Sequence, residues 1–320
     1  METTKAVATM KAVRIKAYGG HEVLVEERSQ RPEPGAGEVL VQVRAAGVNP
    51  VDWKVRSGMA KEWLKHSFPL VLGWDLSGVV ASPGAGVAEF KPGDEVYGML
   101  DLSRNGAYAE YAIAKTGEIA RKPKSVDHAY AAATPLAALT AWQALFDVAG
   151  LSSGRSVLIL GGSGGVGHFA VQLAKWKGAK VAATTSERNT DFVRGLGAHQ
   201  VIDYGALRLE DAIQAVDVVF DTVGGDAQAR AWSVLKKGGI LVSSVGIASP
   251  TEAIAHGARG EPVMVSPDAS QLSLIAALID SGQLKPFVQT VLPLREAAKA
   301  HALSEAGHVR GKIVLEVSEP

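Results

Sequence analysis

The segment Ser156-Val-Leu-Ile-Leu160, followed at once by Gly161-Gly162-Ser163-Gly164-Gly165-Val166-Gly167 and then by a helix-forming stretch from His168, decides how this chain is read. An apolar run of strand length enters a glycine turn, and the turn opens a helix. Gly162, Gly164 and Gly167 satisfy the spacing G-x-G-x-x-G. In that setting the glycines let the chain turn sharply, bring backbone up to a pyrophosphate without a Cβ in the way, and pack the helix closely on its strand. The helix N-terminus then offers N–H groups and the positive end of its dipole to the anion. Gly162, Gly164, Gly165, Val166 and Gly167 are therefore the candidate dinucleotide-binding turn.

Outward from the turn, further strands are expected at 180–185, 200–203, 217–221, 240–245 and 262–265, with helices at 168–177, 189–196, 206–215 and 226–236. Strands alternating with helices imply βαβ units on a parallel, doubly wound sheet. Before Pro123 the texture differs, with β-like runs at 11–17, 22–28, 38–45, 76–81, 95–100 and 107–114 set between glycines and prolines. After residue 270 come a helix to 284, a strand at 287–292, a helix at 295–305 and a strand at 312–317. The fold class is α/β, a β-rich domain joined to a Rossmann sheet.

A length of 320 residues suits two domains, at roughly 150 residues each. Lys plus Arg equals Asp plus Glu, 33 against 33, so no global field favours nucleic acid or an anionic membrane. Cysteine is absent, which excludes disulfides, thiolate zinc sites and cysteine nucleophiles. The uncharged run 129–146 carries Thr134, Pro135, Thr140 and Gln143 and reads as a buried helix, not a membrane span. No apolar core of signal length occurs in Met1 to Met10, so a cytoplasmic protein is expected.

About 20 residues past the glycines, an acid would hydrogen-bond the ribose 2′-hydroxyl of NAD. Ser186 stands at that place with Arg188 beside it, a fork-shaped partner for a 2′-phosphate, and NADPH is the expected cofactor. Glu187 argues for NAD, because an inward carboxylate repels that phosphate.

Several segments resemble the medium-chain dehydrogenase/reductase superfamily, in its zinc-free quinone oxidoreductase and enone reductase branch. They are Ala46-Gly-Val-Asn-Pro-Val-Asp-Trp-Lys54, Pro69 to Val80, Phe90 to Gly98, Gly106 to Tyr111, Leu139-Thr-Ala-Trp142, Val201-Ile-Asp-Tyr204, Asp221-Thr-Val-Gly-Gly225 and Gly311-Lys-Ile-Val-Leu315. The resemblance implies a GroES-like catalytic domain from 1–123 and 266–320, a Rossmann domain over 124–265, and a cleft where they meet. It implies Asn49 and Thr140 beside the nicotinamide, Tyr204 with Ser186 and Arg188 around the 2′-phosphate, and backbone near Val223, Ser244 and Val245 completing the cofactor groove. Members commonly dimerise through Rossmann edge strands, which makes 261–266 a homodimer interface candidate.

Zinc members of the superfamily carry Cys near the place of Asn49 and Gly-His-Glu near Gly73-Trp74-Asp75, so no metal ligand set is expected here. Without a Lewis acid, reduction of a simple carbonyl leaves a poorly stabilised alkoxide. An enone or quinone spreads the charge onto a more acidic oxygen, which a few hydrogen bonds hold. The expected substrate is thus a small enone or quinone, with Lys54 and Asn49 as catalytic residues. For Lys54 the plain alternative is a surface lysine paired to Asp52 or Glu62. Asp75 and Tyr97 read as structural strand ends, and Trp53, Trp63 and Trp74 as core packing or an aromatic pocket. A zinc-independent alcohol or acyl-chain reductase, or a non-catalytic NADPH-binding protein, remain alternatives.

Overall fold

Residues 8–318 are described by the structure, a computed structural model; residues 1–7 of the stretch Met1 to Met10 read for a leader lie outside them. In chain order the first elements are β1 (Thr9–Ile15), β2 (Val25–Gln30), β3 (Glu38–Val48), α1 (Pro50–Arg56), β4 (Leu70–Val71), β5 (Asp75–Pro83), β6 (Glu95–Met99), β7 (Tyr111–Lys115), β8 (Ile119–Arg121), α2 (His128–Ala132) and α3 (Pro135–Trp142). Next come β9 (Ser156–Leu160), α4 (Gly167–Trp176), β10 (Lys180–Thr185), α5 (Thr190–Leu196), β11 (Gln200–Asp203), α6 (Leu209–Ala212), β12 (Val216–Asp221), α7 (Gly225–Ala231), β13 (Leu235–Ser243), α8 (Pro250–Ala255) and β14 (Arg259–Pro262). The chain ends with α9 (Ala269–Asp280), β15 (Val288–Pro293), α10 (Ala297–Glu305) and β16 (Lys312–Glu316).

Two compact units result. One holds the chain up to Leu136, Pro267–Asp280 and everything from Val288; the other holds Ala137–Ser266 and Ser281–Phe287. By contact, residues 124–136 group with the first unit because the Leu136 N–H is held by Asp75, 2.7 Å away. Residues 281–287 group with the second because Gln172 grips both backbone groups of Lys285, at 2.8 and 3.1 Å.

In the first unit the long, apolar β3 is central. The sheet runs β15-β16-β3-β5-β6-β8, with β7 also paired to β3, and a smaller sheet runs β2-β1-β4. β16, from the far end of the chain, pairs antiparallel with β3, setting Val48 opposite Ile313. In the second unit the order is β11-β10-β9-β12-β13-β14, and every pair is parallel. The order reverses between β9 and β12, the switch point where doubly wound sheets bind ligands beyond their strand C-termini. Leu158 to Leu160 on β9 are at most 1% exposed, each worth about 1.5–3 kcal/mol of burial.

Four local expectations change. The edge strand lies at Arg259–Pro262, not 262–265, because Gly260 passes so close to Trp232 that a Cβ would sit 2.8 Å from its ring. The helix expected over 206–215 shrinks to Leu209–Ala212, since the Ala206 and Leu207 N–H groups turn back on the Asp203 carbonyl. The helix expected through 236 stops earlier, and Leu235 already pairs with Val216. The run 129–146 breaks at Pro135 and ends in a π-helical turn, Gln143–Val148. Among the described residues no helix is long and apolar enough to cross a membrane.

Candidate active site

Two of the three spaced glycines in the turn are demanded by packing. A Cβ on Gly167 would stand 2.0 Å from the Gly161 carbonyl oxygen, and one on Gly162 would stand 2.8 Å from the Ala183 Cβ on β10. Gly164 differs, since its Cβ would meet only that same carbonyl oxygen at 3.4 Å, ordinary contact. Two glycines are thus demanded by packing, while the third leaves open the approach to the N-terminus of α4. Gly165 and Val166 lie between them, half-buried.

Side chains brace this turn from the neighbouring strand. Ser163 Oγ accepts hydrogen bonds from Thr185 Oγ1 at 3.0 Å and Asn189 Nδ2 at 3.2 Å, and Asn189 also donates to Ser186 Oγ at 3.2 Å. Ser186 is thereby tied to the turn, with Arg188 and Tyr204 exposed nearby in sequence and in the β10–β11 register. His168 clamps the turn from within α4. The Phe287 N–H donates to its Nε2, so Nδ1 carries the proton and donates to the Gly164 carbonyl, 3.0 Å away.

Across the switch point, buried Asp221 ends β12 and gathers four donors. Its Oδ1 accepts from the N–H groups of Val223 and Gly224, both at 2.9 Å. Its Oδ2 accepts from Gln228 Nε2 at 2.7 Å and Ser243 Oγ at 2.9 Å. Gln228 in turn donates to the Gly246 carbonyl and accepts from Ala248 N–H. One carboxylate therefore shapes both loops that carry Val223, Ser244 and Val245.

A second polar cluster lies in the first unit, at the end of β3. Asn49 precedes Pro50, which suits the first position of α1. Its side chain is buried: Nδ2 donates to Asp75 Oδ2 at 2.8 Å, and Oδ1 accepts from Lys312 Nζ. Lys312 Nζ also donates to the Val48 carbonyl at 3.1 Å and lies 3.6 Å from Asp75 Oδ2. Burial pushes Asp75 up and Lys312 down, and their mutual attraction opposes both shifts. Below them, Asp52 accepts from Asn49 N–H and from Tyr108 OH, each at 2.8 Å, and loss of water pushes its carboxyl up to about 7. His301 Nε2 lies 3.3 Å from the Tyr108 hydroxyl, whose own proton goes to Asp52.

Lys54 is half-buried on α1, its ammonium 5.7 Å from the Trp53 ring centre. It makes no ion pair among the described residues, and Asp52 is turned away into the core. Thr140 is buried on α3. Trp74 is fully buried, its indole N–H donating to the Arg104 carbonyl, whereas Trp63 is half exposed. Tyr97 is a core residue whose hydroxyl donates to the Leu272 carbonyl. Sequence reasoning passed over Ser163, Asn189, Asp221, Gln228, Asp52, Asp75, Tyr108, His301 and Lys312. Charged residues at the ends of apolar strands, Asp75, Asp221 and Lys312, were the available signal.

Burial, with help from the Arg56 and His21 charges, pushes His301 down to about 3 from 6.5. The unfolded chain therefore takes up a proton near pH 6.5 that the native protein refuses until about pH 3. Stability present above pH 6.5 is lost on acidification, by about 2 kcal/mol at pH 5. His301→Gln is expected to flatten this part of the acid limb. Thermal midpoints at pH 6.5 and 5 check it, and an undiminished fall in the variant would count against it. Asp52 acts in the opposite sense, since its raised carboxyl holds a proton that the unfolded chain releases, so wild type and variant are compared at each pH.

The donors around Asn49 suit zinc poorly. Cysteine is absent, Trp74 offers no lone pair, and an ammonium already faces Asn49 and Asp75. No group of three His, Asp or Glu side chains with metal-holding geometry occurs among the described residues.

Residues 35–124 match the alcohol dehydrogenase GroES-like domain, and residues 196–315 match a family described as zinc-binding dehydrogenase. The chain is 36% identical to the mitochondrial NAD(P)H oxidoreductase RTN4IP1 of Mus musculus, over 99% of this chain and 92% of that protein. It is 37% identical to the chloroplastic NADPH-dependent alkenal/one oxidoreductase of Arabidopsis thaliana, over 96% and 79%. A solved quinone oxidoreductase from Coxiella burnetii superposes with a TM-score of 0.88 at 36% identity, covering 97% of this chain and 100% of that one. These names overturn the expectation of a cytoplasmic protein, since the curated relatives are mitochondrial and chloroplastic. Coverage from end to end, a GroES-like β-unit and a Rossmann sheet place the chain in the quinone oxidoreductase and enone reductase branch of the medium-chain dehydrogenase/reductase superfamily, as an oxidoreductase with a nicotinamide cofactor.

Proposed function

We propose that this oxidoreductase reduces small quinones or α,β-unsaturated carbonyls with NADPH, by direct hydride transfer and without zinc. The observation that carries the reading is Lys312: its ammonium lies against Asn49 and Asp75, where zinc members of the superfamily carry their thiolate and their Gly-His-Glu. A cation fixed there disfavours a second one. NADPH, when bound, supplies the hydride from its nicotinamide ring.

The turn Gly162, Gly164, Gly165, Val166 and Gly167 receives the pyrophosphate, in the cradle that a Cβ on Gly164 would fill. Ser186, Arg188 and Tyr204 surround the 2′-phosphate, and Arg188 supplies the charge. Val223, Ser244 and Val245 line the groove on the loops that Asp221 shapes. Asn49 and Thr140 orient the nicotinamide. Lys54, unpaired and close to Asn49 along the chain, stabilises the oxyanion that develops on the substrate. The exposed edge of β14 pairs two copies as a homodimer, which would hide the unpaired backbone of an edge strand.

Steady-state oxidation of NADPH by chelator-dialysed protein tests this. Turnover is expected with 9,10-phenanthrenequinone and small enones, and little or none with simple aldehydes. Lys54→Ala is expected to lower kcat by about 10²-fold, the usual worth of one oxyanion donor. Equal Michaelis constants for NADPH and NADH would remove the phosphate role of Arg188, and activity that returns only with added zinc would remove the metal-free reading.

A further inference from the structure

We propose that Asp75 and Lys312 form a built-in charge pair whose task is to fix the orientation of the Asn49 amide, making both of them positioning residues for the reaction. The proposal rests on the reading of Asn49 as a cofactor-orienting residue.

An asparagine amide has two faces that differ only in which end donates and which accepts. At Asn49 the carbonyl end meets an ammonium, and the amide-nitrogen end meets a carboxylate. Rotating the amide by half a turn would put its oxygen against Asp75 Oδ2 and its N–H groups against Lys312 Nζ, two repulsive contacts in place of two attractive ones. All of this is dry: Asn49 is 2% exposed, Lys312 3% and Asp75 0%. In such surroundings an unmatched polar contact is costly and a matched one is strong. The orientation is therefore set by charge and not by packing alone.

The remaining partners of the pair agree with an ionised state. Among the described residues Lys312 Nζ faces acceptors, the Val48 carbonyl, Asn49 Oδ1 and Asp75 Oδ2. Asp75 faces only donors, with Leu136 N–H on Oδ1 and Asn49 and Lys312 on Oδ2. Both partners are also held by the frame of the unit. Asp75 opens β5 and Lys312 opens β16, and each of those strands pairs directly with β3, which ends just before Asn49.

Chemically, the arrangement leaves Asn49 one uncommitted N–H, since Nδ2 carries two hydrogens and Asp75 takes one. The ammonium on its carbonyl polarises the amide and strengthens that remaining donor. A zinc enzyme obtains a fixed positive charge at this place from a metal; here the charge comes from β16 and reaches the reacting centre through an amide.

The test compares Asn49→Ala, the double variant Asp75→Asn/Lys312→Met, and the triple variant combining all three changes. The double variant removes both charges together, so no uncompensated ion is left buried, and folding is checked by thermal midpoint. Its kcat with the best quinone or enone is expected to fall about 10²-fold, as for a loss of orientation, with the KM for NADPH changed less than about twofold. Asn49→Ala is expected to fall by a similar factor. The triple variant is expected to be no slower than either, because all three act through one amide. Wild-type kcat in the double variant, with Asn49→Ala impaired, would overturn the proposal and leave the Asn49 reading standing. Losses that multiply in the triple variant would overturn it too, by giving the pair a separate role. Unchanged kcat in Asn49→Ala would remove the underlying reading and the proposal with it. Should the double variant fail to fold, Lys312→Met alone serves, since it takes the ammonium away from the Asn49 carbonyl while leaving an unbranched chain in its place; the same fall in kcat is expected, and wild-type kcat would overturn the proposal.

Discussion

Gly167→Ala is expected to destroy binding of the nicotinamide cofactor, whereas Gly164→Ala is expected to weaken it while leaving the fold intact. The added methyl at 167 would stand 2.0 Å from the Gly161 oxygen and 2.8 Å from its carbonyl carbon, and neither backbone atom can swing aside. The turn must open by about 1 Å or more, at an overpacking cost of about 2–3 kcal/mol, and the Kd for the nicotinamide cofactor should rise on the order of 100-fold. The thermal midpoint should fall with it. At Gly164 the same methyl makes only ordinary contact with protein, so on the proposed reading its obstruction is felt by the bound cofactor alone. Calorimetric titration with NADPH and thermal melts of both variants separate the two roles. Equal melting losses in the pair would show that the turn is merely structural.

Asp221→Asn should be the most damaging single-atom change in the nucleotide unit. An amide in that place can still accept the Val223 and Gly224 N–H groups, but its NH₂ then faces the Gln228 amide, which donates to the same spot. Flipping Gln228 moves the conflict elsewhere, because its nitrogen already serves the Gly246 carbonyl and its oxygen the Ala248 N–H. At about 1–3 kcal/mol for each buried group left unmatched, the loss is about 2–4 kcal/mol, or roughly 5–15 °C in thermal midpoint. The KM for the nicotinamide cofactor should rise in step, since both loops lose their common anchor. A variant with native melting and native KM would mean that the four hydrogen bonds on Asp221 are dispensable.

Much of the nucleotide unit was legible because its signals are local. The apolar run Ser156–Leu160 and the three spaced glycines need no distant partner to be read, and five of the six strands fall where period and punctuation put them. The sixth was misplaced because Gly260 earns its position by proximity to Trp232, a contact that sequence order does not display. The polar core of the first unit was illegible for the same reason on a larger scale. Asn49 follows β3, while Asp75 and Lys312 open β5 and β16, and only the pairing of β3 with both of those strands brings the three together. Asp75 read as a strand end, which it is, yet nothing local reveals that its carboxylate faces a lysine 237 positions later (312 − 75). Asn49 is identified by resemblance, but the opposite charges at the two ends of its amide come from distant strands and are not visible in the sequence.

The place of β16 in its sheet also bears on how the protein is made. The nucleotide unit is almost continuous in sequence, so its six parallel strands can form while the rest of the chain is still being synthesised. The other unit must wait, because β16, the strand that lies between β15 and β3, is made after the whole of the nucleotide unit. Until it arrives, β3 shows an open, strongly apolar edge, and the cluster around Asn49 lacks its cation. Translation therefore completes the Rossmann sheet before the β-sheet that holds Asn49, with an interval in which that half-finished sheet keeps an unpaired edge.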